Sequence, residues 1–296
     1  MNNLINGLNN LGNTCFFNST LQLLYQCTIL NKLIISNDFE GNIICEYKKF
    51  ITEYISNNKS VINPTSMVKN ISHTLYRNGA SQEDADQYLN YIIDSIIDEL
   101  NIFISKNNIT NCKILNKNIT VSSLVNNIFT IKFKKIITCP YCNYESITNE
   151  KNNKLYKSIT EKIKIDESIF ENIYEKLDEQ NKYKCDKCNQ HGCALITREI
   201  VDYPKYLIIT LKRYTNSNNK NNSIVNISYN LIKNKIQYEI RGFIYHSGIT
   251  GGGHYVYYSK RKDNWYLFND NQFKLMNQSD IDNIIIYGYI YLYSRI

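Results

Sequence analysis

Gly7-Leu8-Asn9-Asn10-Leu11-Gly12-Asn13-Thr14-Cys15-Phe16-Phe17-Asn18-Ser19 is a polar, glycine-containing loop that runs into an apolar pattern, with Phe17, Leu21, Leu24 and Tyr25 recurring at helical spacing. The pattern puts Cys15 where loop becomes helix. Unpaired N–H groups and the positive end of the helix dipole at such a point favour thiolate over thiol. The same groups can donate to an oxyanion forming beside the sulfur. Asn10, on the same loop, offers a side-chain amide as a further donor. A cysteine here can also be a small core residue that packs the helix start, so this segment alone leaves both roles open.

Outward from that loop, Tyr88, Ile92, Ile93, Ile96 and Ile97 predict a second helix. Asp84 lies just ahead of it or in its first turn, where the dipole favours an anion. From about Phe129 the character changes to short β-rich runs, such as Phe129–Phe133 and Tyr206–Leu211, and from Tyr238 strand is expected to follow strand. Helices first and strands later imply an α+β architecture rather than a wound parallel sheet. Segment 214–224, rich in Asn and Ser, is expected to be an exposed loop. There is no internal repeat, and three prolines with no Gly/Ser-rich stretch mark no linker.

The 296 residues suffice for one large domain or two small ones, and 43% hydrophobic with 21% charged residues is a soluble, globular balance. Met1-Asn2-Asn3-Leu4 lacks the layout of a signal peptide, and Ile284–Tyr293 is too short to span a membrane. These features lead to the expectation of an intracellular protein. Nine cysteines, an odd number, make a poor disulfide framework and a reasonable metal-plus-thiol inventory. The net charge of +7 is modest, and Lys132-Lys134-Lys135 and Lys260-Arg261-Lys262 read as solvated strand or turn faces, which disfavours nucleic acid as a partner.

Four histidines narrow the search for a base. Gly251-Gly252-Gly253-His254-Tyr255-Val256-Tyr257-Tyr258 puts His254 at the mouth of a strand, directly after a flexible glycine run that suits a loop letting a substrate backbone approach closely. Trp265-Tyr266-Leu267-Phe268 is a second strand ending in Asn269-Asp270, and Lys260 to Asn264 joins the two as a hairpin turn. An antiparallel hairpin turning near residues 261–263 brings residue 254 within a few positions of 269. Asn269 would accept from the ring and fix its tautomer, and Asp270 is the rival orienter, able to stabilise imidazolium by charge.

Cys139-Pro140-Tyr141-Cys142 and Cys185-Asp186-Lys187-Cys188 are separated by 42 residues. Two such pairs are what a tetrahedral, structural zinc needs, each giving two thiolates. The separation requires the pairs to meet at the base of two long strands, and Cys193 and His191 are nearby substitutes.

Taken together, these segments resemble the ubiquitin-specific protease family. Gly7 to Gln22 is similar to its cysteine box, and Tyr245-His246-Ser247-Gly248 through Phe273 to its histidine box. Ser81-Gln82-Glu83-Asp84-Ala85-Asp86-Gln87-Tyr88-Leu89 is similar to the family's Gln-Gln-Asp-Ala-x-Glu-Phe segment, and Pro204 through Tyr214 to its strand leading into the palm. The resemblance implies a papain-like cysteine protease fold in a single catalytic domain with a helical thumb (about 1–125), zinc-ribbon fingers (about 126–200) and a β-rich palm (about 201–296). It further implies a deubiquitinase with Cys15 as nucleophile, His254 as base, Asn269 in the third position and Asn10 in the oxyanion hole. Asp84, Gln82, Gly253 and Tyr255 would meet the ubiquitin tail, and Cys139, Cys142, Cys185 and Cys188 would hold zinc. The implied partners are ubiquitin and ubiquitinated proteins, without nucleic acid or membrane, for a monomer in the cytoplasm or nucleus (of a host cell if the source is a virus). Another ubiquitin-like modifier as substrate, or a catalytically inactive ubiquitin-binding module, are the alternatives. Glu83 and Gln87 depart from the family's second Gln and its Glu, and Phe16 stands where Tyr is common.

Overall fold

The computed structural model describes residues 4–58, 60–72, 83–114, 117–120, 125, 127–159, 164–214, 219–233, 235–249 and 252–296. Helices α1 (Cys15–Tyr25), α2 (Thr28–Ile35), α3 (Asn42–Ser56), α4 (Thr65–Ser72) and α5 (Ala85–Lys106) come first, as the periodicity predicts. Every residue of α1 is buried, so the helix has no solvent face. It lies between α5 and the sheet strands Ile236–Ile249 and Gly252–Arg261. On the helical side, the rings of Phe16 and Phe17 meet Tyr88 at 5.5 and 4.7 Å. Helix α5 buries Tyr88, Leu89, Ile92, Ile93, Ile96 and Leu100, a stripe at helical spacing, against this core. Emptying one such site, for example Leu89→Ala, costs about 2–5 kcal/mol.

The palm is an eight-stranded sheet. Its order is Gln272–Met276, Asn264–Asn269, Gly252–Arg261, Ile236–Ile249, Ile290–Arg295, Tyr206–Lys212 and Leu155–Ser158, with Asn230–Lys233 also paired to Ile236–Ile249. The pairing is antiparallel except between Tyr206–Lys212 and Leu155–Ser158. Alternation along Tyr206–Lys212 divides the core. Tyr206 and Ile208 face the helices, whereas Leu207, Ile209 and Leu211 face a second cluster with Phe243, Tyr258 and Trp265. Burial on both faces explains why this strand reads as a continuous apolar run.

One expectation fails in the last third. The helix Gln278–Ile285 interrupts the strands, capped by the Asn277 side chain, which accepts from the Asp280 N–H at 2.7 Å. It buries Ile281 and Ile285, one turn apart, so the apolar run beginning at Ile284 belongs partly to a helix. The strand expected at Phe129 begins two residues later, at Ile131.

A separate four-stranded sheet, ordered Glu145–Asn152, Ile131–Thr138, Leu195–Asp202 and Ile173–Lys176, forms the fingers. It buries little apolar surface at its outer strands. Charges run across it instead: Lys135 pairs with Glu150 at 2.8 Å, and Arg198 with Glu150 at 2.9 Å and Glu175 at 2.8 Å. Partly exposed pairs of this kind contribute below about 1 kcal/mol each, so the fingers need another stabilising element. No helix among the described residues is long and apolar enough to cross a membrane.

Candidate active site and four-cysteine centre

Strand Gly7–Leu8 pairs in parallel with Val61–Ile62 and delivers the loop that precedes α1. A Cβ on Gly7 would stand 2.4 Å from the Asn271 carbonyl oxygen, so only glycine lets this strand pass the hairpin turn at 270–271. The Asn10 side-chain Oδ1 ties the loop down, accepting from Gly12 N at 3.0 Å, Thr14 N at 3.1 Å and Thr14 Oγ1 at 3.2 Å. Helix α1 then starts at Cys15, as the sequence implies, and Thr14 gives it no side-chain cap. The positive end of the helix dipole therefore points at a buried thiol.

The hairpin has the register that the sequence predicts: Tyr257 opposes Phe268 and Arg261 opposes Asn264, with the turn at Lys262 in the left-handed region (φ 54°). His254 Nε2 consequently meets Asn269 Oδ1 at 2.6 Å. An amide oxygen only accepts, so Nε2–H donates and the other ring nitrogen is left for the neighbouring Cys15 side chain. The Cys15 contact, then the Asn269 bond and the nearby Asp270 carboxylate, push the His254 imidazolium up to about 9 against partial burial. A thiol, an imidazole and an orienting amide thus stand in one line, an arrangement suited to nucleophilic catalysis.

The glycine run does not form the loop expected ahead of the strand. Gly252 opposes Ile249 and Gly253 opposes Gly248, so these two residues already belong to the long hairpin, while Gly251 lies outside the described residues. The need for glycine is steric. A Cβ on Gly253 would lie 2.3 Å from both His246 Nε2 and the Ser247 carbonyl oxygen. His246 itself is held neutral, its pKa pulled down to about 4 by burial first and then by Lys220 and His254. Lys220 and Tyr214, which form an isolated bridge, lie within the expected 214–224 loop, whose residues 215–218 are outside the description.

Asp270 does more than the sequence reveals. Its carboxylate lies 3.9 Å from His254 Nε2, too far for a direct bond, and accepts instead from Asn10 Nδ2 at 2.8 Å and Asn18 Nδ2 at 2.7 Å. Asn269 is therefore the residue in direct contact with the ring. Asn18, which no motif reading singles out as functional, also donates to the Leu8 and Asn9 carbonyls at 3.4 and 3.2 Å. Its signal is a polar residue one turn after Cys15 on a helix with no exposed face.

Asp84 is the N-cap of α5, its side chain accepting from Asp86 N at 2.6 Å and Gln87 N at 3.2 Å. The Tyr289 hydroxyl lies 3.0 and 2.9 Å from its two oxygens. Burial raises the Asp84 carboxyl above the usual range, with those hydrogen bonds opposing. Tyr255 is buried, packed on His246 with ring centres 4.3 Å apart and hydrogen-bonded to the Ala85 backbone, so it forms a wall between palm and α5. Gln82 lies outside the described residues.

The sulfurs of Cys139, Cys142, Cys185 and Cys188 all lie within 4.8 Å of one another. Cys139 and Cys188 are 3.8 Å apart, Cys142 and Cys185 3.7 Å. A tetrahedron with metal–sulfur bonds of about 2.3 Å has edges near 3.8 Å, so this donor set fits a four-thiolate metal ion. The two turns repeat one another: Asn143 and Asn189, each following its pair, are left-handed (φ 54° and 59°) and donate to the Cys139 and Cys185 carbonyls. The first pair joins the strands Ile131–Thr138 and Glu145–Asn152, but the second sits on the two-residue strands Tyr183–Lys184 and His191–Gly192 rather than on long ones. Cys193 instead faces Glu179 at 3.2 Å, and His191 is exposed, so neither joins the cluster.

The family model described as ubiquitin carboxyl-terminal hydrolase matches residues 6–293. The Drosophila melanogaster protein ubiquitin carboxyl-terminal hydrolase Usp2 is 28% identical over 302 residues, covering 90% of this chain and 32% of that protein. The Schizosaccharomyces pombe probable ubiquitin carboxyl-terminal hydrolase 16 is 30% identical over 319 residues, covering 98% and 66%. The chain thus spans between about a third and two thirds of the length of these curated relatives. The solved SAGA Ubp8/Sgf11/Sus1/Sgf73 DUB module bound to ubiquitin aldehyde superposes with a TM-score of 0.75 at 23% identity, covering 99% of this chain and 70% of that one, a likeness of fold. With an α+β thumb, palm and fingers and a family match across almost its whole length, this chain belongs to the ubiquitin carboxyl-terminal hydrolase family, the ubiquitin-specific proteases.

Proposed function

We propose that the chain is a cysteine-type deubiquitinase that hydrolyses isopeptide or peptide bonds after the C-terminal glycine of ubiquitin. The observation that carries this reading is His254, hydrogen-bonded to Asn269 at 2.6 Å and close enough to Cys15 for that side chain to raise its pKa. The Cys15 sulfur attacks the glycine carbonyl carbon, and the thiol proton held by His254 passes to the leaving lysine amine as the C–N bond breaks. Water then attacks the thioester, giving one proton to His254, and the free carboxylate and thiol are released. The oxyanion receives N–H groups from the first turn of α1 and the Asn10 amide, whose second N–H is not needed for Asp270.

Asp84 receives a guanidinium of the ubiquitin tail, for which a carboxylate is the natural bidentate acceptor. Zinc is the ion of the four-cysteine centre: four thiolates at tetrahedral spacing suit it, and with no open position it serves to hold the fingers. Ubiquitin is bound by a relative of the same fold, which supports the same partner here. Cleavage of linkage-defined di-ubiquitins by the wild type, and its loss in Cys15→Ala, tests this reading. Cleavage retained in Cys15→Ala, or activity confined to another ubiquitin-like modifier, would refute it.

A further inference from the structure

Glu83, Asp84 and Asp86 crowd the start of α5, and of the three only Asp86 is buried. Asp86 is turned inward, with 8% of its surface exposed. One of its oxygens accepts from the Lys154 ammonium and from Thr210 Oγ1 at 2.6 Å, and the other accepts from the Tyr156 hydroxyl at 3.1 Å. Lys154 also donates to the Asp86 carbonyl at 3.2 Å, and its side chain is 1% exposed. The residue lies in the short connection between Glu145–Asn152 of the fingers and Leu155–Ser158 of the palm. Three parts of the molecule therefore close on one buried carboxylate: the thumb through α5, the palm through Thr210 and the finger–palm junction through Lys154 and Tyr156.

We infer that Lys154 is a positioning residue for the tail site: by pairing with Asp86 it withdraws that carboxylate from Asp84 and leaves Asp84 to receive a guanidinium. The inference rests on the tail-binding role proposed above for Asp84. A buried ion cannot be left unpaired without large cost, so Asp86 stays inward only while Lys154 is there. Without that lysine, Asp84 and Asp86 are like charges two residues apart, and Asp84 resists ionisation. Burial first, and Asp86 as a smaller contribution, already raise the Asp84 carboxyl, while Lys154 is close enough to be influenced by both carboxylates. The other groups facing this pair are the hydroxyls of Tyr156, Tyr214, Tyr255 and Tyr289 and, beside Lys154, the Asp94 carboxylate.

The test is steady-state hydrolysis of a ubiquitin C-terminal amide substrate from pH 5 to 8 by wild type, Lys154→Met, Lys154→Arg, Asp84→Asn and the double variant Lys154→Met/Asp86→Asn. Lys154→Met should raise KM about tenfold at neutral pH, the worth of one charge-assisted hydrogen bond, with kcat nearly unchanged. Asp84 must be ionised to bind, so KM rises as pH falls, and that acid limb should move up by about one pH unit in Lys154→Met. Lys154→Arg should restore it. The double variant, which leaves no orphaned buried charge, should restore it as well and guards against a trivial folding defect. The inference is overturned if folded Lys154→Met keeps the wild-type KM and acid limb, or if the double variant is impaired as much as the single one. If Asp84→Asn itself binds like wild type, the tail-binding role falls, and this inference with it. If Asp84→Asn is impaired and Lys154→Met is not, only this inference falls.

Discussion

The Asp270 carboxylate accepts a 2.7 Å hydrogen bond from the Asn18 side chain, across 252 residues of chain. Its other oxygen accepts from Asn10 at 2.8 Å. The residue following Asn269 thus fixes both the Cys15 loop and helix α1 to the hairpin that carries His254. Asp270→Ala, which removes both bonds, should lower kcat/KM by at least about 10- to 150-fold, the loss of a single charge-assisted bond of roughly 1.5–3 kcal/mol, while the fold survives. Asn269→Ala should cost more in kcat than in KM, because it touches the ring that moves the proton. Kinetics on both variants check this ordering.

His254 should titrate near 9, chiefly because of the Cys15 side chain. Its imidazolium persists through neutral pH and is lost as pH rises through that value, so the stabilisation it gives is present at low pH and fades above about 6.5, the free-histidine value, toward 9. In Cys15→Ala the largest cause is gone, and the His254 resonance should titrate well below the wild-type value. Histidine NMR over pH 5–10 on the two proteins measures the difference. Equal titration midpoints would contradict the pairing.

The fingers combine a thin sheet, exposed ion pairs and four clustered sulfurs. Removing the metal with a strong chelator should lower Tm by several degrees and expose four reactive thiols, and zinc should reverse both effects. Cys142→Ser should mimic chelation. Cys193→Ser, whose thiol faces Glu179, should leave metal content unchanged. Metal analysis with thiol counting decides between these outcomes.

Gly253→Ala should be costly for one added methyl. Its Cβ would come within 2.3 Å of His246 Nε2 and of a backbone oxygen that cannot yield. Overpacking of this kind destabilises by about 1–3 kcal/mol, and the side chain in the way is His246, packed beside the strand that carries His254. Thermal melting and kcat together should both fall.

Legibility in the sequence followed the range of each interaction. The start of α1 at Cys15 and the meeting of His254 with Asn269 depend on local periodicity and on one hairpin's register, so both were readable. The partners of Asp270 were not, because the Asn10 and Asn18 bonds link chain ends through tertiary packing. The helix Gln278–Ile285 was hidden by the isoleucines that precede the last strand, although Asn277 and Asp280 form a recognisable cap. The Lys154–Asp86 pair had no motif to announce it. The need for glycine at 253 comes from His246, which no local pattern reveals without the sheet.

The most direct test of the account is reaction with ubiquitin bearing a C-terminal electrophile, followed by mapping of the adduct by mass spectrometry. The account predicts one covalent adduct, on Cys15, abolished in Cys15→Ala and slowed in Asn269→Ala. No adduct on the folded wild type, or an adduct on any other cysteine, would contradict it.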